Sequence, residues 1–172
     1  MRLQEIDRLD KAVGSALLAA RVARRNLDPV NLLIPLTAAV EAAQKSSSRP
    51  ISIAIDLPSD GPFQVPGDSS ALEQIFLNLS LNAVEAIRDA GEIRVAVERD
   101  NDQVTVRIVD TGTGLAQEAA GQAFEPFFTT RRGGTGLGLT IAARLARAHN
   151  GSVELHGNPV RGATATVRLP LI

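Results

Sequence analysis

Three groups of residues have types and spacings that could do chemistry. The first lies in LEQIFLNLSLNAVEAI, where Asn78, Asn82 and Glu85 stand four and three positions apart and share one stripe of a helix. Leu72, Ile75, Phe76, Leu79, Ala83 and Ile87 make the apolar face of the same helix. Two amides and a carboxylate on one edge can offer oxygens and N–H groups to a ligand. Asparagine competes for backbone hydrogen bonds and is only a middling helix former, so two in mid-helix ask for a reason. Two solvent-facing amides would leave the same trace. The second group is DTGTGL, from Asp110 to Leu115, at the end of a strand. Alternating glycines let a backbone approach a flat ligand closely, and the carboxylate can accept from an exocyclic amine. The string also fits an ordinary strand-to-turn exit. The third is GGTGLGL, residues 133–139, leading into a helix whose first N–H groups and dipole favour phosphate. It is not a Walker A loop, because no Gly-Lys-Ser/Thr follows, nor a GxGxxG loop opening a βαβ unit. Arg131 and Arg132 stand just before it, as added charge or as solvated side chains. Between the last two groups, FEPFFTT holds three of the five phenylalanines, a grouping that suits either a loop anchor or ordinary core packing.

These residues need one well-packed domain to position them, and 172 residues suffice for one with a short appendage. A net charge of -1 argues against a nucleic-acid or anionic-membrane surface, so any bound anion must be held locally. The absence of cysteine excludes a disulfide framework and cysteine-based zinc sites. With no Trp or Tyr, aromatic stacking on nucleic-acid bases is not the trade of this chain. No apolar run reaches the length of a bilayer span, and the N-terminal stretch is too interrupted by charge for a signal peptide.

Leu3, Ile6, Leu9, Val13, Leu17 and Val22 suggest an amphipathic helix that wants a partner. Asp28-Pro29-Val30-Asn31 breaks that pattern, and a second helix is expected over 32–44. Ile51, Ile53 and Ile55 alternate as in a strand, which a Pro/Gly/Asp-rich stretch over 58–67 ends. Asp68 is the expected N-cap of a long helix reaching about residue 90, with Gly91 as its stop. Strands follow at 92–98 and 103–109 around a turn at 99–102, then a long glycine-rich loop, a helix over 137–149, and strands at 152–156 and 164–169. The order predicts a two-layer α/β sandwich with a mixed, mostly antiparallel sheet and helices on one face.

Taken together and in order, the asparagine helix, DTGTGL, FEPFFTT and GTGLGL resemble the motif boxes of histidine-kinase ATP-binding domains. These belong to the superfamily that also holds gyrase, heat-shock-chaperone and mismatch-repair ATPases. ARAHNGSVEL and the terminal GATATVRLP resemble its last helix and strands, and the phenylalanine cluster ahead of a basic residue is closest to compact-lid kinases of the nitrogen-sensor type. The resemblance implies an ATP-binding domain over 29–172, preceded over 1–28 by the tail of a phosphoacceptor and dimerisation helix. It implies ATP and Mg²⁺ as cofactors. Asp110 would bind the adenine amino group beside Gly112 and Gly114, Asn82 would ligate Mg²⁺, and Asn78 would line the phosphate region with Glu85 on the same stripe. Gly134, Thr135, Gly136, Leu137 and Gly138 would form the lid hinge and offer amides to the phosphates. Arg131 would add a basic phosphate contact, and Thr164 would face the adenine pocket.

Hydrolytic members of the superfamily carry a glutamate one turn before the metal-binding asparagine, where it serves as base for water. Here that residue is Asn78, and Glu85 stands elsewhere on the helix, so the site is expected to hold ATP for transfer rather than spend it on water. The catalytic set implied is Asn78, Asn82 and Arg131. His149 and His156 are read as structural, and no histidine precedes the ATP-binding region, so this stretch is not expected to label itself. The implied partners are a phosphoacceptor histidine domain and a response regulator, with no nucleic acid and no membrane contact, in the cytoplasm. An anti-sigma-factor serine kinase or a superfamily nucleotide-binding module are the alternatives.

Overall fold

The computed structural model describes residues 13–14, 16–20, 22, 27–59, 61–116, 121–129 and 134–172. Alternation in the sequence becomes a sheet with one buried side. Strands β2 (Ile51–Asp56), β4 (Gly91–Asp100), β5 (Gln103–Asp110), β6 (Ser152–Gly157) and β7 (Ala163–Pro170) form one five-stranded sheet in the order β2-β4-β5-β7-β6. Only β2 and β4 run parallel; the other pairs are antiparallel. Ile93, Val95 and Val97 of β4, Val106 and Ile108 of β5, and Ala165 and Val167 of β7 are buried in the core. The opposite side carries charge, with Arg94–Asp56 at 3.6 Å and Arg168–Glu154 at 2.8 Å. Period-two sequence places those two classes on opposite faces without further instruction.

Three helices supply the second layer: α1 (Leu33–Lys45), α2 (Ser69–Ala86) and α3 (Gly138–Ala148). α2 lies between the other two, packing on both. Its apolar stripe, Leu72, Ile75, Phe76, Leu79 and Ala83, is buried as expected. Asp68 caps it by accepting the Ala71 N–H at 3.1 Å. The helix stops at Ala86, short of the expected 90. The Thr113 N–H donates to the Ala86 carbonyl at 3.0 Å, and Arg49 donates to the Ile87 carbonyl. Groups distant in sequence thus take up the helix's last carbonyls, which no local stop signal announces.

Two strands escaped the sequence. β1 (Asp28–Asn31) and β3 (Gln64–Gly67) pair antiparallel in a separate two-stranded sheet, where a chain break and a loop were expected. Each has four residues and a proline, too short and too interrupted to show a period. The β4–β5 ladder also runs further than expected, to Asp100 opposite Gln103, because Asn101 adopts φ 51° and closes a tighter turn.

In the N-terminal stretch the described residues 13–14, 16–20 and 22 are helical. Val22 is buried, and Leu18 and Ala19 pack against the core, while Val13 and Leu17 are exposed. The expected single stripe therefore divides: its last member turns inward and two others turn out. Leu3, Ile6 and Leu9 lie outside the described residues. No helix among the described residues is long and apolar enough to cross a membrane.

Candidate functional site

α2 is the spine of the site. Along its polar stripe Asn78 and Asn82 are half-buried and Glu85 is exposed. The Gln74 side-chain amide, one turn earlier, donates to Asn78 Oδ1 at 3.1 Å. Asn78 Nδ2 is buried with no hydrogen-bond partner among the described residues. A buried unpaired donor costs about 1–3 kcal/mol, so this atom asks for an acceptor that those residues do not supply. The start of α3 lies along the same side chain: a Cβ added at Gly138 would lie 3.9 Å from both Asn78 Cβ and Oδ1. The first hydrogen bond inside α3 runs from the Ile141 N–H to the Leu137 carbonyl. The amides before Ile141 are therefore those a helix leaves open at its positive end.

Eight residues further along α2, roughly 12 Å by helix rise, its last turn meets the end of β5. Asp110 is only 4% exposed, and its Oδ1 accepts the Gly112 N–H at 2.8 Å. A Cβ at Gly112 would come within 2.6 Å of the Ala86 carbonyl, so only glycine lets the turn seat against the helix end. Gly114, with φ +79°, lies against Gly162. Gly162 itself has φ +78°, and a Cβ there would stand 1.8 Å from the Asp110 carbonyl oxygen. The sequence reading passed over Gly162; its place just before β7 is the only local signal it leaves.

Thr164 does not join this group. Its hydroxyl donates to Asn158 Oδ1 at 2.7 Å, and its cross-strand partners are Val109 and His156. Strand alternation gives the neighbouring Ala163, buried with Ala165 and Val167, the side that Asp110 shares. Of the two it is Ala163, not Thr164, that lies on the Asp110 side of β7.

The glycine-rich segment closes back on the phenylalanine cluster. The Phe127 N–H donates to the Gly136 carbonyl at 2.9 Å, and a Cβ at Gly136, whose φ is +65°, would lie 2.4 Å from the Phe127 carbonyl carbon. Phe127 has φ 68° and is exposed; Phe124 packs against the core, and its carbonyl accepts the Thr140 hydroxyl at 3.0 Å. Only one of these two rings anchors the loop. Leu137 is buried, its N–H donating to Thr135 Oγ1 at 3.4 Å, and Gly134 is half-buried. Arg131 lies outside the described residues, as do Arg132 and Gly133.

His149 is buried at the end of α3. Its Nδ1 donates to the Leu145 carbonyl at 2.8 Å, while Nε2 accepts the Asp68 N–H at 3.2 Å, which requires the neutral ring. Burial depresses its pKa. His156 is exposed on the outer sheet face, 3.6 Å from Glu154. The Arg168 guanidinium, hydrogen-bonded to Glu154, holds that carboxyl below its usual range. Neither histidine approaches the α2 stripe.

A concavity of about 530 Å³ at Pro50, Ser52 and Gly91 lies beside this region, and one of about 200 Å³ at Arg88 and Arg161 reaches Gly112 of the turn. Convergent donors and the buried carboxylate mark the site better than hollow volume does. Among the described residues no cluster of three His, Cys, Asp or Glu could hold a metal by itself. An ion here would need oxygens from Asn82 and from its own ligand.

The comparisons agree with this fold. The sensor histidine kinase ZraS of Klebsiella oxytoca is 34% identical over 170 residues, covering 98% of this chain and 37% of that protein, so the chain spans little more than a third of it. The solved structure of the mycobacterial sensor histidine kinase MprB superposes with a TM-score of 0.77 at 27% identity, covering 84% of this chain and 97% of that one. Full-length ShkA in complex with AMPPNP superposes with a TM-score of 0.74 at 30% identity, over 96% of this chain and 36% of that one. Residues 67–172 match the family described as histidine kinase-, DNA gyrase B-, and HSP90-like ATPase, and the chain belongs to that family as an ATP-binding domain of the sensor-histidine-kinase kind.

Proposed function

We propose that this domain binds Mg·ATP along α2 and transfers its γ-phosphoryl group to a histidine on a phosphoacceptor domain, from which a response regulator takes it. Adenine is held at the Asp110 carboxylate, with the Gly112–Gly114 turn against the ring. The triphosphate runs along the stripe past Asn82 and Asn78 to the α3 amides. The Asn82 side-chain oxygen would hold Mg²⁺, which would supply charge neutralisation to the phosphates; a hard ion that keeps waters suits so sparse a donor set. Arg131 adds a positive charge to the transferring group. Glu85, being exposed, marks the rim. The setting is cytoplasmic, the subgroup nitrogen-sensor-like, and the stretch before β1 is the end of the phosphoacceptor helix.

The observation that carries transfer over hydrolysis is Asn78. An amide stands where the family's hydrolases place a glutamate, its oxygen is engaged by Gln74, and it cannot take a proton from water. Phosphoryl transfer then depends mainly on positioning and charge neutralisation. The test is incubation with γ-labelled ATP, with and without a phosphoacceptor hairpin from a related kinase of the same type. Acid-labile, base-stable label should collect on the hairpin and not on residues 1–172. Rapid release of inorganic phosphate with no hairpin present would favour the hydrolase branch instead.

A further inference from the structure

Gln74 has no place in the binding scheme above, yet it touches the helix stripe: its Nε2 donates to Asn78 Oδ1 at 3.1 Å. We infer that Gln74 is a positioning residue, which by occupying the Asn78 oxygen fixes that amide as an N–H donor to a phosphate oxygen and not as a ligand of the metal. This rests on the nucleotide reading of the site and sharpens it.

Three observations converge. An asparagine amide offers one acceptor and two donors, and here the acceptor end is the one already engaged. The donor end, Nδ2, is buried and unpartnered among the described residues. The start of α3 lies along the same side chain, its Gly138 Cβ position 3.9 Å from Asn78 Cβ and from the oxygen that Gln74 holds. A buried N–H left without an acceptor is satisfied by an anionic oxygen and not by a cation. Gln74 and Asn78, at i and i+4, set that orientation within a single helix face.

The experiment measures binding of ATP with Mg²⁺, ATP with chelator, and adenosine to the wild-type chain, Gln74→Met, Asn78→Ala and the double variant. Methionine keeps the length and helix preference of glutamine while removing both its donors and its acceptor. Gln74→Met should weaken ATP roughly tenfold, since it frees the amide that makes a charge-assisted bond. The drop should be the same with Mg²⁺ and with chelator, adenosine binding should be unchanged, and the double variant should bind no worse than Asn78→Ala. A drop confined to the Mg²⁺ experiment would overturn the inference, because the Asn78 oxygen would then be on the metal. So would unchanged ATP affinity, additive losses in the double variant, or an equal loss of adenosine, which would mark a general structural role. Wild-type chain that binds ATP in neither condition would remove the underlying reading, a result separable from all of these.

Discussion

His149 Nε2 accepts the backbone N–H of Asp68 at 3.2 Å, tying the last turn of α3 to the cap of α2. The two residues are 81 positions apart. Asp68 caps α2 with its side chain while its own N–H is capped by the imidazole, and Gly67 leaves room for the ring, 3.3 Å from His149 Cδ2 to a Cβ placed there. Since Gly138 opens the other end of α3, this clamp sets where it meets Asn78.

The clamp makes stability depend on pH with a definite sign. Burial lowers the folded-state pKa of His149 below the 6.5 of the free side chain. Above that value the ring is neutral in both states and the contribution is complete. As pH falls below it, the unfolded chain takes up a proton that the folded chain refuses, so stability declines until the folded-state pKa is reached. Urea midpoints should be level from about one pH unit above 6.5 and decline as pH falls through it. His149→Leu should cost about 1–3 kcal/mol at pH 7.5, by stranding the Asp68 N–H, and should flatten that decline. An undiminished slope in the variant would assign the effect to other groups.

Gly162 and Gly121 should respond oppositely to alanine. At Gly162 the added methyl would sit 1.8 Å from the Asp110 carbonyl oxygen at φ +78°, whereas at Gly121 nothing lies within 4 Å. Gly162→Ala should lower stability by several kcal/mol and displace the turn from Asp110 to Gly114. Gly121→Ala should leave the unfolding midpoint within about 0.5 kcal/mol of wild type. Thermal melts of the two variants decide the matter, and comparable behaviour would contradict the packing around Asp110.

Asp110→Asn keeps an oxygen for the Gly112 N–H but presents an N–H where an amine donor is to be received. ATP affinity should fall tenfold or more with the far-ultraviolet spectrum unchanged. Calorimetric titration checks it; affinity equal to wild type would sink the adenine assignment.

Asn82→Ala should remove most of the Mg²⁺ enhancement of ATP binding and leave metal-free binding nearly intact, since it shortens a half-buried polar side chain and spares the apolar stripe. The measurement is the ratio of ATP dissociation constants with and without Mg²⁺. A ratio matching wild type would make the residue a surface feature.

What the sequence determined by itself was whatever repeats within a few residues. The period-two alternation at Ile93, Val95 and Val97 marks β4, the stripe from Leu72 to Ala83 marks α2, Asp68 signals its own cap, and Asn78, Asn82, Asp110 and the glycine runs read as residues of a helix edge, a strand end and a helix start. Only the tertiary structure decided what depends on meetings between distant segments. β1 and β3 exist because Val30 finds Val65, not because either stretch prefers a strand. α2 ends at Ala86 because Thr113 and Arg49 take its last carbonyls. Thr164 turns to Asn158 because pairing with Val109 fixes which side of the sheet it occupies. Gly162 is needed because of the Asp110 carbonyl, 52 residues earlier by the numbering. Local periodicity records which face is apolar; it holds no record of which carbonyl, cap or turn will arrive from elsewhere in the chain, since those contacts form only when the layers pack.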